Sequence, residues 1–323
     1  MPVNIGPQPA AGPPPSGLPG SLLPGPLVSA SWLAAHLGPP VVVLDATVIL
    51  PAPARDGDYR PQSARGRFDD GHIPGARHAD LLEDLSDPGA AYHFARPPAG
   101  RLAAALGRLG VTGASAVVTY DSADGMWAAR LWWMLRWIGV PAAVLDGGWG
   151  AWVGSGGAVE QGGADAATAQ NGPADPHEGA ITPHERRGMW ADKADVLEVV
   201  GGARPGALIC ALSREVFEGT APTRYSRRGH IPSSVNVPAR ALIAPDGRLR
   251  SPKDLAEAVA GVPDRGRVTV YCGGGISAAL VAHALTVAGR EDVAIYDGSL
   301  EEWSADPDLP LVLGPHQGDL SFH

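Results

Sequence analysis

The chain has 323 residues, 45% of them hydrophobic, and its 25 Lys and Arg against 34 Asp and Glu give a formal net charge of −9. That length holds about two domains with a sizeable core, and the acidic balance excludes a sequence-independent grip on nucleic-acid phosphates. No apolar run approaches the ~20 residues that cross a bilayer, and two cysteines make no disulfide framework, which points to a reducing compartment, the cytoplasm.

Residues 1–25 are a Pro/Gly-rich stretch without the basic start and apolar core of a secretory signal, and they read as a disordered leader. From Ser29, SASWLAAHL combines a serine cap with helical spacing. VVVLDA at 41–46 is a β-branched run of the kind found in buried strands. GHIPGA at 71–76 is a tight turn into a short strand, and RLAAALGRLGV at 101–111 predicts a helix ended by Gly110. AVVTY at 116–120 is a second apolar strand, followed by a helix over about 124–138 that stops at Gly139. Trp127, Trp132, Trp133 and Trp137 recur there at helical spacings and read as core and domain interface rather than a cofactor box. AAVLDGG at 142–148 is again a strand into a turn, and 154–181 is a Gly/Ala/polar linker without periodicity.

The same grammar then starts over. Asp121 aligns with Cys272, Asp146-Gly147 with Asp297-Gly298 and Trp152 with Trp303, each pair 151 residues apart. GHIPGARH at 71–78 matches GHIPSSVN at 229–236, and VVVLDAT at 41–47 matches GALICAL at 206–212, pairing Asp45 with Cys210. Three matches in one order mean two copies of one domain, placed at 26–153 and 182–314. Strands alternating with helices predict an α/β fold in each, a mostly parallel sheet flanked by helices.

In such sheets ligands bind beyond the carboxyl ends of the strands. Cys272 stands there, directly after VTVY, and Gly273, Gly274, Gly275, Ile276 and Ser277 fill the space between strand and helix. Glycines let backbone curl with positive φ and turn its amides inward, and the helix start adds free N–H groups and a positive dipole end. Together these predict an anion cradle around the sulfur and a lowered thiol pKa. The competing reading is an inert cysteine in a strand-to-helix turn. Asp121, a poor sulfur carrier, leaves the first copy with the scaffold but no nucleophile, as a wall of the cleft.

These residues resemble the two-domain rhodanese-family sulfurtransferases. The resemblance is carried by LVSASWLAAHL at 27–37, GHIPGA, ARLWWMLRWIGVPAAVLDGGWGAW at 129–152, RRGHIPSSVNVP at 227–238, YCGGGISAA at 271–279 and YDGSLEEWSADPDLP at 296–310. It implies an inactive first domain, a catalytic second one, and a cofactor-free double displacement in which Cys272 takes sulfur from a small anionic donor. The sulfur then passes from the cysteine persulfide to cyanide, a small thiol or thioredoxin. Thiosulfate enzymes of the family carry Cys-Arg-Lys-Gly in the loop and mercaptopyruvate enzymes Cys-Gly-Ser-Gly. Here Cys-Gly-Gly-Gly lacks the basic pair, which favours mercaptopyruvate, but also lacks the serine.

Other departures concern the arginines and the second cysteine. The family's Arg-Phe-x-Gly reads Val216-Phe217-Glu218-Gly219, so that arginine is absent. Arg224 matches the family's second substrate arginine, and Arg214 is a candidate replacement for the first, since an anionic 2-oxo acid needs a guanidinium partner. Cys210 stands where the family has aspartate. It is either a redox partner forming a reversible disulfide with Cys272 or an inert buried thiol. His72 and His230 sit in paired GHIP turns, which favours a turn role over a substrate-facing one for His72. No HExxH or CxxC spacing suggests a metal, and Ala278 stands where a Cys-x5-Arg phosphatase needs its arginine. The remaining alternative is a catalytically weak rhodanese-fold binding or regulatory module.

Overall fold

A computed structural model describes residues 22–162, 179–262 and 266–315. The leader up to residue 21 and linker residues 163–178 lie outside the described residues. In the first copy five parallel strands stand in the order β1 (Leu27–Val28), β7 (Ala142–Leu145), β6 (Ala116–Tyr120), β2 (Val41–Asp45) and β5 (Arg77–His78). In the second the order is β8 (Trp190–Ala191), β12 (Val293–Tyr296), β11 (Val268–Tyr271), β9 (Ala207–Cys210) and β10 (Ser234–Asn236). The two topologies are identical, and every pairing in both is parallel. Register agrees too: Asp45 pairs with Tyr120 and Cys210 with Tyr271. A short antiparallel ribbon, β3 (Val48–Ile49) with β4 (Gln62–Ser63), is added to the first copy.

The strands are apolar runs because both sheet faces are covered; ALIC, VTVY and VAIY are buried at every position. Local signals set the helix ends. Ser29 Oγ accepts the Trp32 amide at 3.1 Å and starts the helix Ala30–His36. The helices Ala99–Arg108 and Met126–Trp137 end before Gly110 and Gly139, whose φ of +74° and +84° an L side chain resists.

The two copies join through the helices that follow their central strands, Met126–Trp137 and Ile276–Val287. Both are apolar almost all round, as a helix buried on every side must be, and Trp127, Trp132, Trp133 and Trp137 lie in this joint core. Each Asp-Gly turn also reaches across to the other copy. Asp146 accepts the Leu249 amide at 2.9 Å, and Asp297 accepts the Arg96 amide at 2.9 Å. Asp297 further pairs with Arg130, 2.7 Å away with both side chains buried, and the Arg130 guanidinium lies 4.8 Å from the Trp190 ring. Among the described residues no helix is long and apolar enough to cross a membrane.

Removing one partner of a buried ion pair leaves an uncompensated charge and costs about 3–5 kcal/mol. Arg130→Leu should therefore lower the denaturation midpoint sharply and loosen the domain joint, whereas Arg101→Leu, on an exposed helix face, should leave it nearly unchanged; chemical denaturation of the two variants checks this.

Candidate active site

The scaffold of the site is built twice. Beside each central strand a GHIP turn is pinned by a strand tyrosine: Tyr120 Oη accepts the Ile73 amide at 3.4 Å, and Tyr271 Oη accepts the Ile231 amide at 3.0 Å. Each turn's histidine closes on its own copy's helix. His72 Nδ1 donates to the Phe68 carbonyl at 2.8 Å with the rings stacked 3.9 Å apart, and His230 repeats this on Phe217 at 2.8 and 3.6 Å. The substrate-facing role considered for His72 is thereby corrected. Its ring is fully buried in the turn and lines no part of the cavity.

The first-copy loop holds an anion of its own. Asp121 follows β6, and its carboxylate accepts the amides of Ala123 (2.9 Å), Gly125 (3.0 Å), Trp127 (3.0 Å) and Ala128 (2.9 Å). Burial pushes this carboxyl's pKa up, and the amides pull against that by favouring the charged form. Asp121 is 1% exposed, so it fills the cradle, while Ala123, Asp124, Met126 and Trp127 around it wall the cavity.

The second-copy loop is one residue shorter. It runs from Cys272 to Gly275, which matches Gly125 in standing left-handed, φ +78° against +79°, just before the helix. Leu300 and Glu301 donate their amides to the Cys272 and Gly273 carbonyls at 3.0 and 2.9 Å, and the Cys272 amide donates to Ser299 Oγ at 3.1 Å. Two carbonyls are thus tied down at the back of the loop, directly before the start of the helix Ile276–Val287. Of the three glycines only Gly275 has positive φ, so the backbone freedom the loop's glycines allow is used for a left-handed turn at that one position. Gly273 is needed for a different reason: a Cβ there would lie 2.8 Å from Tyr225 Cε1.

Cys272, 2% exposed, opens on a cavity of about 600 Å³ between the copies. The first copy contributes Tyr59, Arg67 and Trp127 to its walls, and the second Val216, Arg224, Tyr225, Glu301 and the loop itself, Gly273, Gly274, Ile276 and Ser277. Arg224 is held across the joint by its bond to the Pro51 carbonyl at 2.6 Å, and burial lowers its pKa. Burial raises the Tyr59 and Tyr225 hydroxyls, which keeps both protonated as donors. Arg240 pairs with Asp124 at 2.6 Å, again between the copies. Tyr59, Arg67, Tyr225 and Glu301 escaped sequence reasoning. Tyr225 alone had a signal, its place next to Arg224.

Two expectations fail on geometry. Arg214 does not line the cavity; it is exposed and pairs with Glu218 at 3.3 Å, four residues on. Cys210 is not a redox partner for Cys272. It pairs in register with Tyr271, so the two lie on one face of the sheet, and the next residue, Cys272, lies on the other. Cys210 accordingly packs with Phe217 and Tyr271, and Cys272 with the core shared by both copies. Both thiols are free, and burial pushes Cys210 up to about 12. Among the described residues no group of three His, Cys, Asp or Glu could hold a metal ion.

Comparison with known proteins agrees with this geometry. The description of the rhodanese-like domain matches residues 29–155 and 212–306. The chain is 34% identical over 295 residues to SseB of Mycobacterium tuberculosis, named as a thiosulfate sulfurtransferase, covering 89% of this chain and 97% of that one. It is 32% identical over 289 residues to the 3-mercaptopyruvate sulfurtransferase of Escherichia coli K12, covering 88% and 96%. The crystal structure of SseA from Escherichia coli, a 3-mercaptopyruvate sulfurtransferase, superposes with a TM-score of 0.68 at 29% identity, over 85% of this chain and 98% of that one. Two tandem sheets of this topology with a cysteine at a central strand's end define a class, and the chain belongs to the rhodanese family. Within that family it is a two-domain sulfurtransferase.

Peroxide followed by alkylation and mass spectrometry should yield no peptide linking Cys210 to Cys272. Below pH 9 in the native state Cys210 should stay unlabelled, because its thiol remains protonated until far higher pH.

Proposed function

We propose that Cys272 is the sulfur carrier, that the donor is a mercapto acid of the 3-mercaptopyruvate type, and that the acceptor is a thiol such as thioredoxin or a small thiol, with cyanide as a laboratory substitute. The observation that carries this reading is the Asp121 carboxylate lying among four amides in the equivalent loop of the first copy. A loop that holds one anion there is suited to hold another, and in the second copy a sulfur stands at the aspartate's position.

The Cys272 thiolate attacks the donor sulfur, forming an S–S bond while the donor's C–S bond breaks and its electron pair leaves with the carbon fragment as an enolate. The persulfide Cys–S–S⁻ then sits among amides of the loop that favour its charge. The acceptor attacks the outer sulfur, and the S–S bond's electrons return to Cys272. With cyanide the product is thiocyanate, and no oxidant or reductant is consumed.

The donor assignment rests on charge. The loop carries no Lys or Arg to meet a dianion, whereas Arg224 on the cavity wall, with Arg67 of the first copy lining the same cavity, offers a guanidinium for the mercapto acid's carboxylate. Val216, where the family has its other arginine, presents an apolar surface to the cavity. Two free cysteines suit a reducing compartment such as the cytoplasm.

Thiocyanate formation from mercaptopyruvate and cyanide tests the reading. Cys272→Ser should abolish turnover and the mass gain of one sulfur seen after donor treatment, with the circular-dichroism spectrum unchanged. Arg224→Gln should raise the mercaptopyruvate KM about tenfold, the worth of a lost charge-assisted contact. A wild-type chain that turns over neither mercaptopyruvate nor thiosulfate, and gains no sulfur on Cys272, would instead be a binding or regulatory module.

A further inference from the structure

Glu301 puts a carboxylate at the anion loop. Its Oε2 lies 3.4 Å from where a side chain on Gly274 would begin, and it lines the same cavity as Cys272. The position is fixed rather than incidental. The Glu301 amide donates to the Gly273 carbonyl at 2.9 Å, and Oε1 stands 2.5 Å from His93 Nδ1 of the first copy. His93 in turn packs against Tyr59, ring centres 4.1 Å apart, and its side chain is about half exposed, 52%. The other charged groups on the cavity wall are Arg67, Arg224 and the Arg240–Asp124 pair. A site whose amides attract anions thus keeps one fixed negative charge beside them.

We infer that Glu301 selects the sulfur donor: it repels a dianion such as thiosulfate and accepts the thiol proton of a mercapto acid. This rests on the sulfurtransferase reading above. A mercapto acid brings one carboxylate, which Arg224 can take, and a neutral S–H that can donate to Glu301 Oε2. When Cys272 attacks, the C–S bond breaks and its electron pair leaves as the enolate. The S–H proton passes to Glu301, leaving Cys–S–S⁻, and then from Glu301 to the enolate carbon, giving the 2-oxo acid with a methyl group. Protons balance within the site. Thiosulfate has no proton to give and leaves as sulfite, so for that donor Glu301 contributes only repulsion.

The experiment is steady-state thiocyanate formation by the full chain with each donor, in the wild type, Glu301→Gln and Glu301→Asp. For Glu301→Gln, kcat/KM should fall with mercaptopyruvate and rise with thiosulfate, so that the ratio between donors drops about tenfold or more. Glu301→Asp, which keeps the charge, should hold the ratio within about threefold of the wild type. A smaller drop in Glu301→Gln, parallel losses with both donors, or an equal shift in Glu301→Asp overturns the inference and leaves the sulfurtransferase reading standing. A wild type inactive with both donors overturns that reading first, and this inference with it.

Discussion

The N–H groups exposed where a central strand turns into a helix are the constraint on which the rest of the molecule depends. A helix start leaves its first amides without intrahelical partners, and burying them without an acceptor is costly. In the first copy the chain solves this with its own Asp121, whose two carboxylate oxygens take four amides. In the second copy the residue at that place is a cysteine, too weak an acceptor to do the same. The internal solution is lost there, and it is this difference between the two copies on which the proposed role of Cys272 rests.

That exchange works only if the loop is held open toward a space that water and substrate can enter. The joint between the copies supplies it. The two central helices fuse into one core, while Asp146 and Asp297 each bind the other copy's backbone, so the walls of the cavity are fixed by reciprocal clamps. The first copy, with no carrier sulfur, still provides Tyr59, Arg67 and Trp127 to the cavity and the Pro51 carbonyl that orients Arg224. Duplication thus yields one site rather than two, because one copy's loop is spent on its own aspartate.

The fold was legible because each element carries its own local signal. Apolar runs the length of strands, glycines with positive φ after helices and a duplicated order of motifs need no tertiary information. The place of Cys272, between the end of a strand and the start of a helix, was legible for the same reason. What failed needed register or contact between distant residues. Cys210 was correctly placed on the neighbouring strand, but pairing it with Tyr271 rather than Cys272 turns its side chain to the opposite face, and a slip of one residue reverses every side chain in a strand. Arg214 was close in sequence to the right place, yet its helix points it at Glu218. Gly273 looked like a residue chosen for backbone freedom, and only the Tyr225 ring explains it.

Glu301 shows why a count of charges along the sequence is a poor guide to what such a cavity prefers. Its carboxylate reaches Gly274 through the fold of the last helix and is steered by His93 from the other copy, so no local motif announces it. Attraction and repulsion are both built at the same loop, from amides and from a carboxylate, and discrimination between donors is the difference of the two. A cradle of amides alone would favour whichever anion carries the greater charge. Adding a fixed negative charge penalises a second charge on the incoming group more than the first, and leaves a hydrogen-bond acceptor for a donor that arrives protonated. Selectivity of this kind needs no cationic side chain in the loop, which is consistent with a sequence that places only glycines between Cys272 and the helix.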